Sequence, residues 1–259
     1  DREESLRRIA LVFKRCFILL LILLAGPVIM LTGGQGMSAD WRTASREPMG
    51  EAPAPATTPQ AVVRIYAARA FGWRGAFGVH PWVAVKPAGA DSYRIYQVIG
   101  WRARFGQSVV VVSEDHPDRR WFGAEPDLLF HAEGDKASAL IPRIDAAARS
   151  YPYADRYSVW PGPNSNTFVS WVARNVSGMT LDLPPTAIGK DYTGGQLIST
   201  GTSGTGLQVS LFGLLGVTAA LEEGLELNVG GLVFGVDPLD LNLKLPGIGR
   251  VGPMPDPNR

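Results

Sequence analysis

The sequence predicts an α+β fold carried on one N-terminal transmembrane helix and extended by a C-terminal β-region. Three observations predict it. Residues 16–31 read CFILLLILLAGPVIML. Between 61 and 176, β-branched and aromatic runs are followed by two stretches of helical period. Beyond 207, leucines alternate with polar residues. Thirty glycines and 20 prolines imply many turns and argue against a helical bundle. With 46% apolar and 19% charged residues, disorder of the whole is excluded. Lys and Arg total 25 against 24 Asp and Glu, a net charge of +1. No basic field marks a nucleic-acid binder, so no nucleic acid is expected as a partner. A single cysteine excludes a disulfide framework, and 3 histidines leave little material for a metal site. No metal or other cofactor is expected.

The first element is the membrane helix. No charged residue lies between Cys16 and Ala39. About 20 mainly apolar residues cross a hydrocarbon core of roughly 30 Å, and Gly26 and Pro27 are tolerable within such a helix. Arg2, Arg7, Arg8, Lys14 and Arg15 precede the run, whereas only Arg42 and Arg46 follow closely. The positive-inside bias puts the N-terminus in the cytoplasm and the remaining chain outside. The expected partner of Cys16–Leu31 is therefore a membrane. The rival is a signal peptide cut after Ala39, for which Met37 is large and the uncharged run long. Cys16 is either a palmitoylation site or an apolar helix residue. The expected organisation is a cytoplasmic tip and helix over 1–33, a Pro/Ala-rich linker over 34–60, an α+β core over 61–190, and a Gly-rich loop with β-region over 191–259.

Ala61–Ala67 and Gly78–Lys86 read as strands, the second with an edge or bulge at Pro81. Gly78–Lys86, Tyr93–Trp101 and Ser108–Val112 are three runs that suggest an antiparallel meander. Ala137–Arg149 has helical period, with Pro142 at a kink or in the first turn. A short strand is expected at Tyr157–Trp160. A second helix then carries Phe168, Val169, Val172 and Val176, is capped by Asn164 or Ser165 and stops near Gly178. Leu207–Leu245 reads as antiparallel strands with one wet face, where Glu226, Asn228, Asp240, Asn242 and Lys244 alternate with apolar residues. The competing reading makes Leu207–Leu221 an amphipathic membrane-surface segment.

Chemistry is expected at His80 and Ser165. A nucleophile at a helix N-terminus meets the positive end of the dipole and free N–H donors, which suit an oxyanion. A strand histidine is a fitting base, and Tyr96 or Gln97 could orient its second nitrogen. Against this, serine is also a preferred cap. Asn164, Trp82 and Trp160 are the expected substrate contacts. Trp73, Trp101 and Trp171 belong either to the same groove or to the core. Gly201–Gly206 (GTSGTG) lacks the Lys-Ser/Thr of a phosphate loop. The loop Asp115–Trp121 is either a binding loop or a solvated turn.

The order of His80 in VHPWVAV, then a helix opening Asn164-Ser165-Asn166-Thr167-Phe168, resembles the circularly permuted papain-like families. These are the PPPDE peptidases, with an Asn-Cys-Asn-Thr-Phe type motif, and lecithin retinol acyltransferase-like proteins. The resemblance covers about His80–Val176 and implies a permuted papain-like antiparallel sheet with packed helices. It also implies amide or ester chemistry, with Ser165 standing where those families have cysteine. The whole chain, including RAFGWRGAFGVHPWVAVKPAG, WPGPNSNTF and LKLPGIGR, is similar to an uncharacterised bacterial membrane-anchored family of unknown function, which implies a Gram-negative envelope. Two functions are expected in competition. One is a degenerate or serine-type hydrolase or acyltransferase using Ser165, His80 and Gln97. The other is a non-catalytic subunit docking on an inner-membrane protein complex.

Overall fold

The computed structural model describes residues 2–34 and 40–258. The cleavage point weighed after Ala39 lies outside the described residues. Helix α1 (Arg2–Thr32) has 31 residues. At 1.5 Å per residue it spans roughly 46 Å. Its segment Glu4–Thr32 is long and apolar enough to cross a membrane. Most of α1 is exposed, but Leu23, Gly26 and Pro27 are buried. There the helix meets the rest of the chain closely: a Cβ on Gly26 would fall on the Pro246 carbonyl, and Gly247 abuts Pro27.

Five strands form a first sheet: β1 (Val62–Arg69), β2 (Val79–Lys86), β3 (Arg94–Val98), β4 (Val110–Glu114) and β5 (Pro126–Glu133). Their order is β4-β3-β2-β1-β5, antiparallel throughout. The expected three-run meander is β2 to β4, and β1 extends it by pairing with β2. Strand β5 adds to the far edge of β1, and its mixed sequence PDLLFHAE hid it from the periodicity. The β2–β3 ladder runs only from Val83 to Val85, so Pro81 lies where β2 has a neighbour on one side alone. Strand β3 ends sooner than expected, because Gly100–Phe105 wind into a 3-10 turn. Tyr157–Trp160 is not a strand. Pro161 and Pro163 follow it directly and cannot donate to a ladder.

Helices α2 (Gly134–Arg149) and α3 (Ser165–Asn175) cover one face of this sheet. Pro142 lies inside α2 and not in its first turn. Val83, Val85 and Tyr96 pack there with Ile144, Phe168 and Val172. The opposite face carries Val62, Tyr66, Trp82, Ala84 and Ile95. Residues 45–60, expected as a spacer, are tied down beside that face. The Asp118 carboxylate accepts from the amides of Glu51 and Ala52 at 2.7 and 3.0 Å. Tyr93 donates to the Pro53 carbonyl, and buried Lys86 donates to those of Thr58 and Gln60.

The C-terminal region is a seven-stranded antiparallel meander: β6 (Ile198–Ser199), β7 (Leu207–Leu211), β8 (Leu215–Ala220), β9 (Gly224–Val229), β10 (Leu232–Asp237), β11 (Asn242–Leu245) and β12 (Gly249–Val251). Leu207–Leu221 is thus β7 and β8. The expected wet face is turned inward. Gln208, Thr218, Glu226, Asn228, Asn242 and Lys244 are buried. Lys190 and Lys244 both pair with Glu226, and Lys244 and Arg250 both pair with Asp182. Opposite charges replace the water these groups lose, which lets the polar side serve as the interior. Burial disfavours the charged form of Lys190, yet Glu226, Asp191 and Asp182 push its pKa above the usual lysine range.

The apolar side chains accordingly face outward, and strand register aligns them. The first row runs Leu207, Ala219, Leu225, Val236, Leu243, Val251. A second runs Ile198, Val209, Val217, Leu227, Phe234. A third runs Leu211, Leu215, Val229, Leu232.

Candidate functional site

Strands β2 and β3 part company before Val83. The ladder does not extend to Val79–Pro81, and the chain after Val98 turns away. A cleft of about 560 Å³ opens beside this gap, a size in the range of small-molecule sites. Its lining includes His80, Ser165, Trp73, Trp101, Trp121 and Trp160. Trp73, Trp101 and Trp160 are each more than half exposed and stand at its rim.

Helix α3 presents its N-terminus to the cleft. Asn164, not Ser165, is the cap: its side-chain oxygen accepts from the amides of Asn166 and Thr167 at 2.9 and 3.2 Å. Thr167 closes the capping box by accepting from the Asn164 amide at 3.1 Å. The Asn164 amide group donates to the carbonyls of Val159 and Ile188, and Asn166 donates to those of Val79 and Ile188. These bonds fasten the helix start to β2. The cap and the helix together leave only the Ser165 amide, among the first-turn donors described, open to an oxyanion. Of the first-turn amides, those of Asn166, Thr167 and Phe168 are occupied. Ser165 is buried at the first helical position, and neither its amide nor its hydroxyl makes a hydrogen bond among the described residues.

His80 lies on the other side of the sheet. Side chains alternate along β2, so His80 shares the face of Trp82 and Ala84, while α3 packs on the face of Val83 and Val85. Its ring stacks on Trp121 with centroids 3.7 Å apart and planes 9° apart. His80 Nε2 lies 3.4 Å from Gln97 Oε1, which also accepts from Arg119 Nη2 at 3.3 Å. Because a guanidinium only donates, Gln97 presents oxygen to both, so His80 Nε2 carries the proton and Nδ1 the lone pair. Arg119 is itself paired with Asp115 at 2.9 Å. Burial drives the His80 pKa down to about 3, and the nearby Arg119 charge adds to the fall against the Gln97 hydrogen bond. His80 is a neutral, clamped ring.

The expected residues therefore divide. Ser165, His80, Asn164 and Trp160 border one cleft, and Gln97 holds His80. Tyr96 bonds Asp145 instead. His80 and Ser165 form no hydrogen bond with each other. Trp82 does not line the cleft: it is fully buried and donates to the Pro117 carbonyl. Trp171 packs against the core and donates to Ala147. Asn164 is committed to its cap, so it has little left for a ligand. Sequence reasoning missed Trp121 and Arg119 as clamps of His80. The loop DHPDRRW stood out, but nothing local says that it folds back on a strand some 40 residues earlier. No cluster of three or more His, Cys, Asp or Glu is placed for a metal among the described residues.

No curated protein and no solved structure matches the chain. A family match does cover residues 60–192, which include β1 to β5, α2, α3 and both sides of the cleft. That is more than half of the 259 residues, and the chain belongs to the family described as protein of unknown function (DUF3750).

Proposed function

We propose that the chain is an envelope protein of a Gram-negative bacterium, anchored in the inner membrane by α1 with the remainder in the periplasm. Its core is a degenerate permuted papain-like fold whose cleft binds an apolar ligand without covalent catalysis. The observation that carries this reading is the position of His80 on the sheet face opposite α3. A serine hydroxyl needs a base in contact during attack. Ser165 has none among the described residues, and a ring with a pKa of about 3 is a weak base. The resemblance to the permuted papain-like families supports the fold reading through the helix opening at Asn164–Phe168 and the strand bearing His80. The aromatic rim suits an acyl chain or the apolar face of a sugar. Binding without turnover fits an accessory subunit of an inner-membrane complex. The orientation rests on the basic flank before Cys16. Protease added to spheroplasts should digest the domain, and full protection would reverse the topology.

A second reading is favoured by one observation: the Ser165 hydroxyl is free of the capping role. In it, the Ser165 proton passes to His80 Nδ1 as Oγ bonds the carbonyl carbon of an amide or ester. The amine or alcohol leaves protonated, and water or a second acceptor takes the acyl group. A fluorophosphonate probe applied to the full chain in detergent separates the two. The first reading expects no adduct at Ser165. It also expects saturable binding of a fluorescent long-chain fatty acid that Trp160→Ala weakens. An adduct lost in both Ser165→Ala and His80→Ala establishes the second reading instead.

A further inference from the structure

We propose that the outer face of the second sheet lies on the lipid bilayer, in contact with acyl chains, beside the point where α1 enters it. The three outward rows contain no charged and no polar side chain across seven strands. Leu225, Leu227 and Leu243 are each about half exposed. Soluble monomers rarely expose so broad an apolar surface. Interfaces between protein copies keep a polar rim and a substantial polar area even in homodimers. A face with no polar group matches hydrocarbon better than it matches a second copy.

Continuity with α1 names the occupant. The turn between β11 and β12 carries Pro246, Gly247 and Ile248, which pack on Gly26 and Pro27 of α1. Arg69 of β1 locks the same turn by donating to the carbonyls of Gly247 and Ile248 at 2.5 and 2.6 Å. The sheet is therefore joined at its β11–β12 end to a helix whose Ile18–Ile22 stretch is itself exposed and apolar. At the other limit of the face, Leu232 of the third row also lines the cleft, and Trp160 donates to Gly230 on the adjacent turn. Backbone groups inside the sheet are paired in ladders, so resting it on lipid strands few of them. Charge is withheld from this face because Glu226, Lys244 and their partners are paired on the other side.

The test uses the full chain in vesicles of phosphatidylethanolamine and phosphatidylglycerol containing phosphatidylcholine brominated high on its acyl chains. That depth matches the roughly 5–10 Å that interfacial segments reach. In a Cys16→Ser background, bimane is attached at Leu227→Cys, at Ile18→Cys in α1 and at Arg143→Cys on exposed α2. The expected result is quenching at position 227 as strong as at position 18, none at position 143, and no quenching of position 227 by aqueous iodide. Val217→Cys, paired with Leu227 across the ladder, supplies the same reading if the first variant fails to fold. Position 227 unquenched by lipid bromine while position 18 is quenched would overturn the proposal. If that site were also shielded from iodide, a protein would cover the face, and cross-linking of Leu227→Cys to itself would identify a second copy.

Discussion

Lowering the pH should destabilise the protein through His80, and the size of the effect follows from its surroundings. The ring is buried, stacked on Trp121 and near the Arg119 charge, so its folded pKa is about 3. In the unfolded chain it returns to about 6.5. Below 6.5 the unfolded state therefore binds a proton that the folded state refuses. The stability due to neutral His80 is complete above pH 6.5 and is lost as pH falls from 6.5 towards 3. At pH 5 the loss is about 2 kcal/mol relative to pH 8, tending to about 5 kcal/mol at the acid limit. The assay is urea unfolding of the detergent-solubilised full chain, followed by tryptophan fluorescence, for wild type and His80→Gln. Gln cannot titrate, so its pH profile should be flatter by about 2 kcal/mol over that interval. His131, whose pKa burial also lowers, is common to both proteins and cancels. Parallel profiles would refute the reasoning. They would mean that His80 is solvated enough to charge in the native state, and the case for a basic imidazole near Ser165 would reopen.

Two other outcomes follow from the same structure. Asn164→Ala should cost about 1–2 kcal/mol in thermal unfolding, because two amides lose their cap, whereas Ser165→Ala should stay within about 0.5 kcal/mol. Equal losses would return the cap to Ser165. Glu226→Ala should cost about 3–5 kcal/mol, since it leaves Lys190 and Lys244 buried with one acceptor fewer. The paired change Glu226→Leu with Lys244→Met should recover part of this, and a loss equal to or beyond that of the single variant would show that the pairing is not what matters.

The elements that were legible in the sequence are those whose signal is local. The apolar run in α1, the β-branched strands β1 to β4, the period of α3 and the presence of a cap at Asn164 or Ser165 all depend on residues within a few positions of one another. Strand β5 escaped because an edge strand with Asp, His and Glu shows little alternation. Adjacent strands of a meander narrow the partner of His80 to Tyr96 or Gln97, and the fold decides for Gln97.

What the sequence by itself determined was which residues alternate, and tertiary structure alone decided which side of each alternation became the interior. Period two in β9 and β11 is identical whether the leucines or the charges turn inward. Partners distant in the chain, Asp182 and Lys190, made the charged side the buried one. The same holds for the site. Sequence order put a strand histidine before a helix-start serine, but parity along β2 put His80 and α3 on opposite faces of one sheet. The clamp on His80 came from Trp121 and Arg119, on a loop that packs on β2 only when the chain is folded. Contacts between distant segments depend on how layers close over a core, and no short stretch of residues carries that information.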